Sequence, residues 1–129
     1  MCCDGIYAVA IYAVTREARM FSPELKKGSV ELMVLAVIED TARHGYEIGK
    51  LIESRSGGHI QFNVSSLYPV LYRMEERGWI VGRWVEKAGE RRRCHYTLTD
   101  EGRRVLARER QTWEAFTLAV NHVIGVSHA

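Results

Sequence analysis

Hydrophobic residues recur at helical spacing in the first part of the patterned sequence, beginning just after Ser29. In the stretch VELMVLAVIEDTA, one side carries an apolar stripe and most of the other side is apolar too. A helix that is apolar nearly all round is buried on more than one side. In a chain of 129 residues this indicates a partner subunit as well as a core. Ser29 is the expected N-cap, and a second helix is predicted from Tyr46 to Ser54, ended by Gly57 and Gly58.

The third predicted helix lies within NVSSLYPVLYRMEERG, where Asn63 is the expected N-cap and Gly78 the expected end. Its apolar stripe consists of Val64, Leu67, Val70, Leu71 and Met74. The opposite face carries Ser65, Ser66, Pro69, Tyr72, Arg73 and Glu76, with Tyr68 on its flank. Pro69 removes the hydrogen bond to the Ser65 carbonyl, which costs roughly 3 kcal/mol in a regular helix interior. The proline therefore either shapes a functional surface or suits a tight entry into the helix.

After Gly78 the hydrophobic period changes from helical to alternating. WIVGRWVEKAGERRRCHYTLT predicts two strands around the turn at residues 88–90, with Cys94, Tyr96 and Leu98 on the buried face. Thr99 is the expected N-cap of a last helix. Its apolar residues fall at the a and d positions of a coiled-coil-like seam, interrupted by Glu109. The seam consists of Leu106, Trp113, Phe116, Val120 and Val123, and we interpret it as a dimer interface.

The predicted fold is mainly α with a small β-hairpin wing. Three helices, a hairpin and a long final helix give a winged helix-turn-helix over residues 22–99 and a C-terminal dimerisation helix and tail over residues 100–129. Residues 1–21 are an extension of uncertain origin. The apolar stretch from Gly5 to Thr15 falls short of the roughly 20 residues that span a bilayer, and it lacks a basic flank. We hypothesise that the biological start is Met20, and we expect no membrane partner.

Charge is distributed unevenly along the chain. Residues 77–110 contain ten Arg or Lys and five Asp or Glu, a local charge of +5, whereas the whole chain carries +2 and the remainder therefore −3. A basic segment on a mildly acidic body favours an anionic partner, although a solvated surface would look the same. The three cysteines have no metal-ligand spacing, so we expect no metal, no cofactor and a reduced cytoplasmic setting.

The third helix and the wing offer chemistry suited to DNA. A helix that enters the major groove needs a slim leading face with hydrogen-bonding groups, which Ser65 and Ser66 supply. Tyr68 and Arg73 can reach phosphate oxygens. Arg91, Arg92 and Arg93 follow a glycine turn at the wing tip, where they can straddle the phosphates beside a minor groove. A basic triplet alone is more often a solvated loop, and its position after a recognition-helix pattern favours DNA.

These segments together resemble PadR-type transcriptional regulators from about Lys26 to the C-terminus: KGSVELMVLAVIED, HGYEIGKLIE, SSLYPVLYRMEERGWI and RRRCHYTLTDEG. The resemblance implies a homodimeric winged-helix repressor released by a small, in some members aromatic, effector. By this likeness the DNA-contacting residues would be Lys27, Tyr46, Ser65, Ser66, Tyr68, Arg73 and the wing arginines. Asn63 is added as a candidate for operator specificity. The single last helix resembles the compact branch of the family, and His95 stands where the family pattern has a second aromatic residue.

Trp113 has two interpretations. By the resemblance it would stack a planar effector at the dimer interface, whereas its a/d position predicts that it simply packs the seam. The function also has two alternatives outside DNA binding. A winged-helix module could bind protein or RNA without an effector. An enzyme is the other, but the sequence contains no nucleophile–base motif, phosphate loop or metal spacing.

Overall fold

The computed structural model describes residues 29–126. It contains, in chain order, α1 (Val30–Val37), β1 (Arg43–His44), α2 (Gly45–Arg55), α3 (Val64–Glu76), β2 (Ile80–Val85), β3 (Arg93–Leu98) and α4 (Asp100–Ile124). The mainly α winged helix-turn-helix with a hairpin wing is therefore confirmed, with β1 as an addition. The predictions for residues 1–21, for a start at Met20 and for Lys27 lie outside the described residues.

The core lies where α1, α2, α3 and the first turns of α4 meet the sheet. Four of the five residues in the predicted stripe of α3 are buried, with Leu67, Leu71 and Met74 at 0 % exposure and Val70 at 8 %, whereas Val64 is partly exposed. Burying a side chain of this size contributes roughly 1.5–3 kcal/mol relative to leaving it exposed. The stripe therefore holds α3 against the core and leaves its opposite face outward.

The sheet has the strand order β1-β3-β2, and both pairings are antiparallel. Arg43 and His44 pair with Tyr96 and His95 of β3, which extends the predicted two-stranded wing by one short strand. The opposite edge depends on Gly82, because a Cβ there would lie 2.7 Å from the Cys94 sulfur. Glycine at this position therefore lets the side chains of β3 pack across β2.

Local sequence explains where the helices begin and end. His44 caps α2, since its Nδ1 accepts from the Glu47 amide at 3.4 Å and the Glu47 carboxylate accepts from the His44 amide at 3.2 Å. Thr99 caps α4 as predicted, its hydroxyl accepting from the Gly102 amide at 3.0 Å. Gly58 has a φ of +84° and its amide donates to the Glu53 carbonyl at 2.7 Å, which ends α2 at the predicted glycine pair.

The N-terminal half of α3 contains an N-cap and an internal proline. Asn63 occupies the N-cap position, where its carbonyl accepts from the amide and the hydroxyl of Ser66 at 3.0 and 2.8 Å. Pro69 lies inside α3 without interrupting it and is exposed. The buried residues of the stripe, on the other side of the helix, hold α3 in place despite the lost backbone hydrogen bond.

The start of α4 is held tightly against the end of α3. The Thr99 hydroxyl donates to the Gly78 and Trp79 carbonyls at 2.5 and 3.1 Å. A Cβ at Gly102 would collide with the Trp79 carbonyl oxygen, and it would lie 3.0 Å from the carbonyl carbon. Only glycine therefore lets the two backbones approach this closely.

An ion pair links α4 to the end of α1. The Arg110 guanidinium donates to both carboxylate oxygens of Glu39 at 2.9 and 3.1 Å. This hydrogen bonding lowers the pKa of Glu39 and raises that of Arg110. Both side chains are exposed, so the pair adds little stability. Within residues 29–126 no helix combines the length and the apolar run needed to cross a bilayer.

Candidate nucleic-acid interface

The outer face of α3 is exposed in the way the sequence pattern predicts. Ser65, Ser66 and Arg73 are exposed, and Tyr68 retains 49 % of its accessible surface. The small serines lie in the first turn, where they leave room for an approaching backbone, and the longer polar side chains follow further along. This profile is that of a helix whose first turn can enter a groove.

A groove of about 590 Å³ separates α3 and the start of α2 from the wing. Four aromatic side chains, a histidine and three arginines dominate its walls, and among the described residues that line it none is acidic. The lining consists of His44, Tyr46, Val64, Tyr68, Trp84, Arg91, Arg92, Arg93, Cys94 and Tyr96. Flat apolar walls with positive charge suit the sugars and phosphates of a nucleic-acid strand.

The two tyrosines predicted to contact DNA both line this groove. A Cβ at Gly45 would lie 3.2 Å from the Tyr68 ring, so glycine lets that ring approach the start of α2. Tyr46 is 52 % exposed on the first turn of α2, and the Lys50 ammonium lies 5.5 Å from its ring centroid. The structure thus brings side chains from two helices to one wall of the groove.

The wing forms the other wall, and its arginines differ in their contacts. Arg91, Arg92 and Arg93 are all exposed, as predicted. The Arg92 guanidinium lies 4.9 Å from the Trp84 ring centroid, and the Arg93 Nη1 lies 2.9 Å from the His44 Nε2. Sequence reasoning missed both Trp84 and His44. The sequence could have indicated Trp84, because every second residue of a strand shares a face and Trp84 follows Ile80 and Gly82. Trp84 therefore lies on the inner face of β2, beyond the end of the core.

His44 lies at the junction of α2 and the wing, where both ring nitrogens face N–H donors. The Glu47 amide approaches Nδ1 and the Arg93 guanidinium approaches Nε2, but a neutral imidazole accepts at one nitrogen only. Burial lowers the pKa of His44, Arg93 and His95 lower it further, and the Glu47 carboxylate opposes them. The His95 ring lies edge-on at 5.3 Å between centroids. Together these effects favour the neutral form of the ring.

This environment predicts that acid weakens the fold through His44. Because its pKa is lower folded than unfolded, the folded state binds fewer protons. The stability that the neutral ring contributes is complete above the unfolded pKa of about 6.5 and is lost as the pH falls below it. We expect the urea midpoint to fall between about pH 7.5 and about pH 5.5, and to fall less in His44→Asn, since Asn keeps an N-cap acceptor without titrating. An equal fall in both proteins would contradict this assignment.

Far from the groove, the outer part of α4 exposes a large apolar surface. Phe116 and Val123 are 59 % and 85 % exposed, Trp113 is 44 % exposed, and Val120 is partly exposed. Leu106 is different, because it is only 1 % exposed and packs in the core of its own chain. Its assignment to the dimer seam was wrong, because the apolar face of the first turns of α4 packs against the core of the same chain. A patch of this size commonly marks an interaction surface.

The groove and its two walls can be compared with known proteins. The model of the Transcriptional regulator PadR-like family matches residues 34–108, which is more than half of the chain. The chain belongs to the PadR-like family. The match begins within α1 and ends in the first half of α4, so it includes α3, the wing and the groove between them. The PadR-like chain is therefore a DNA-binding transcriptional regulator and not an enzyme.

Solved structures agree with this assignment. The PadR-like chain is 25 % identical to a transcriptional regulator from Clostridium thermocellum, with a TM-score of 0.71, covering 79 % of this chain and 96 % of that one. It is 26 % identical to a PadR-like transcriptional regulator from Bacillus cereus, with a TM-score of 0.68 and coverage of 78 % and 96 %. Bacillus subtilis PadR, solved in complex with operator DNA, shares the fold at 24 % identity, with a TM-score of 0.56 over 61 % of this chain and 45 % of that one.

The remaining cysteine and histidine chemistry concerns the described residues only. Among residues 29–126 no group of three or more His, Cys, Asp or Glu side chains could hold a metal ion. Cys94 is a half-buried free thiol in the wall of the groove. Burial raises the pKa of the neighbouring Tyr96 hydroxyl, so this phenol stays neutral.

Proposed function

We propose that this PadR-like regulator is a homodimeric repressor that binds an operator through α3 and the wing and is released by a small effector. The observation that carries the proposal is the groove between α3 and the wing, with aromatic walls, three arginines and no acid among the described residues that line it. Phosphates bind where positive charge and N–H donors converge without competing carboxylates. Bacillus subtilis PadR, which shares the fold, was solved in complex with operator DNA, and this supports DNA as the partner.

In this proposal each wall has its own role. The first turn of α3 enters the major groove with Asn63, Ser65 and Ser66 leading, while Tyr46, Tyr68 and Arg73 hold the adjacent phosphates. The wing arginines Arg91, Arg92 and Arg93 follow the backbone into the neighbouring minor groove. Lys27, just before α1, adds a further phosphate contact. Because α3 presents few long base-reading side chains, DNA shape contributes much of the specificity.

The exposed end of α4 is the proposed dimer surface, centred on Trp113, Phe116, Val120 and Val123. Two subunits joined there present two α3 helices to successive major grooves, as dimeric helix-turn-helix proteins do. The Trp113 and Phe116 ring centroids lie 6.5 Å apart with their planes tilted by 44°, so the same surface offers an exposed aromatic ring on which a planar effector could stack. Packing of the seam is the better supported role of Trp113. Several apolar side chains are exposed beside it, and a partner subunit would remove all of them from water, whereas a small ligand would cover only part of them.

Replacing Trp113 by Ala tests the dimer directly. Buried tryptophans at interface centres are frequent hot spots, so we expect the dimer dissociation constant to rise by roughly 30-fold or more. Sedimentation velocity over a dilution series measures the change. Leu118→Ala is the matched control, since Leu118 is 42 % exposed but lies on another side of α4. A Trp113→Ala protein that stays fully dimeric yet loses its response to planar aromatic compounds would instead assign Trp113 to the effector.

The function itself is tested with the DNA region upstream of the chain's own gene. A gel-shift should give binding that prefers this region over a scrambled duplex and weakens steeply with added salt. Transcription from the same region should fall when the protein is added. Equal binding to single-stranded RNA, or binding without sequence preference, would favour a module that recognises RNA or protein. Repression that no small aromatic compound relieves would remove the effector from the proposal.

A further inference from the structure

Trp84 is the most exposed large aromatic residue facing the groove. It lies near the end of β2 and retains 62 % of its accessible surface. Alternate residues of a strand share a face, so Trp84 follows Ile80, which is buried, and Gly82, which packs on Cys94. Because the core ends before the tip of the wing, this last inward position opens into the groove. An indole kept so exposed contributes little to the fold.

The indole has one prominent contact, with the side chain of Arg92. The guanidinium carbon lies 4.9 Å from the ring centroid, within the range of a cation–π interaction. A guanidinium that stacks on a ring by its face keeps the N–H groups along its planar edge free to donate. These donors can then take a phosphate in bidentate geometry.

The pair of Arg77 and Trp79 is a useful comparison for the pair of Arg92 and Trp84, because among the described residues only the first arginine also binds a carboxylate of its own chain. Arg77 lies 5.0 Å from the Trp79 ring centroid, but its Nη1 also donates to the Glu31 carboxylate at 3.0 Å. That guanidinium is engaged within its own chain. Arg92 instead lines a groove in which no described residue is acidic, so its N–H donors are available to an anionic partner. The contact between an arginine and a tryptophan ring is therefore part of an internal ion pair at Arg77, whereas at Arg92 it lies in an open groove.

We propose that Trp84 is a positioning residue for DNA binding: its indole holds the Arg92 guanidinium ready to bind a phosphate of the operator backbone. Ordering a long, flexible side chain on binding lowers affinity, and a side chain already held on a ring avoids much of that loss. The role extends to any duplex, because it concerns a phosphate and not a base. The inference rests on the proposed placement of the wing against DNA.

The test is a double-mutant cycle measured by fluorescence anisotropy with a fluorescein-labelled duplex from the upstream region. Trp84→Ala should weaken binding roughly three- to tenfold without changing the salt dependence, since no charge is lost. Trp84→Phe should restore most of the affinity, because a phenyl ring also stacks a guanidinium. Arg92→Gln should reduce the salt slope by about one. In the Arg92→Gln background, Trp84→Ala should have almost no further effect.

Arg77→Gln is the matched control, since it removes the same charge from the same kind of stacked pair outside the groove. Circular dichroism melts of each variant confirm that the wing has folded. If Trp84→Ala costs as much with Gln at position 92 as with Arg, then Trp84 acts on its own and the proposal is overturned. If the wild-type protein binds the duplex but Trp84→Ala binds equally well, the inference fails while the regulator function stands. A wild-type protein that binds no duplex overturns both.

Discussion

Gly102→Ala should lower the free energy of unfolding by roughly 2–3 kcal/mol, the cost of forcing an extra carbon into a packed site. The new methyl would meet the Trp79 carbonyl, which belongs to the backbone and cannot rotate away. α4 would have to lift from the end of α3 and weaken the Thr99 cap. Urea denaturation followed by circular dichroism measures the loss.

Gly49→Ala is the control for this prediction, because Gly49 also lies inside a helix. A Cβ at Gly49 would lie 3.3 Å from a Leu67 methyl, which can move. Alanine also favours a helix interior by roughly 1 kcal/mol over glycine. The Gly49 variant should therefore stay within about 1 kcal/mol of the wild type. Equal urea midpoints for the two variants would mean that the α3–α4 contact is looser than the structure shows.

Removing two wing charges should give the largest loss of DNA affinity. The double variant Arg91→Gln, Arg92→Gln is expected to bind the upstream duplex roughly 10- to 100-fold more weakly at low salt, since each arginine contributes a charge-assisted hydrogen bond to phosphate. The slope of log affinity against log salt concentration should fall by about two. Anisotropy titrations across a salt series measure both quantities.

The matched control removes the same charge from α4, an element that lines no part of the groove as described. Arg104→Gln, Arg108→Gln deletes two exposed arginines, one of them paired with Glu101 at 2.8 Å. This protein should keep its affinity within about twofold, because its lost charges lie beyond close reach of the phosphates. An equal loss in both double variants would mean that net charge, and not the wing, determines binding.

The parts of the fold that follow a long, regular period were predictable from sequence. The stripe of α3 was read correctly because Leu67, Leu71 and Met74 repeat over several turns and one face is buried. The hairpin was read from the alternation that ends at Leu98. β1 was not predicted, because Arg43 and His44 are too few to show a period and they pair with a strand about fifty residues away.

The residues of the candidate site were predictable where they lie on one face of a single helix. They were not predictable where they depend on contacts between two separate elements of the fold. The serines and Tyr68 on α3 were found from the helical face alone. Trp84 and His44 were missed because their roles arise from contacts with Arg92 and Arg93, which only the folded wing brings near. Leu106 was misassigned for a related reason. Its a/d spacing was correct, but periodicity does not say whether a stripe packs on its own chain or on a partner.

The contact between Trp79 and the start of α4 has a geometric consequence for the operator. The backbone that ends α3, the proposed DNA-facing helix, also supports the helix that carries the proposed dimer surface, through Thr99 and Gly102. The angle between these helices is therefore set by this short junction together with the packing of α4 on α1, and not by a flexible linker. In a symmetric dimer that angle determines how far apart the two α3 helices lie, and therefore the number of base pairs between half-sites. Relatives with a different junction should tolerate a different spacing.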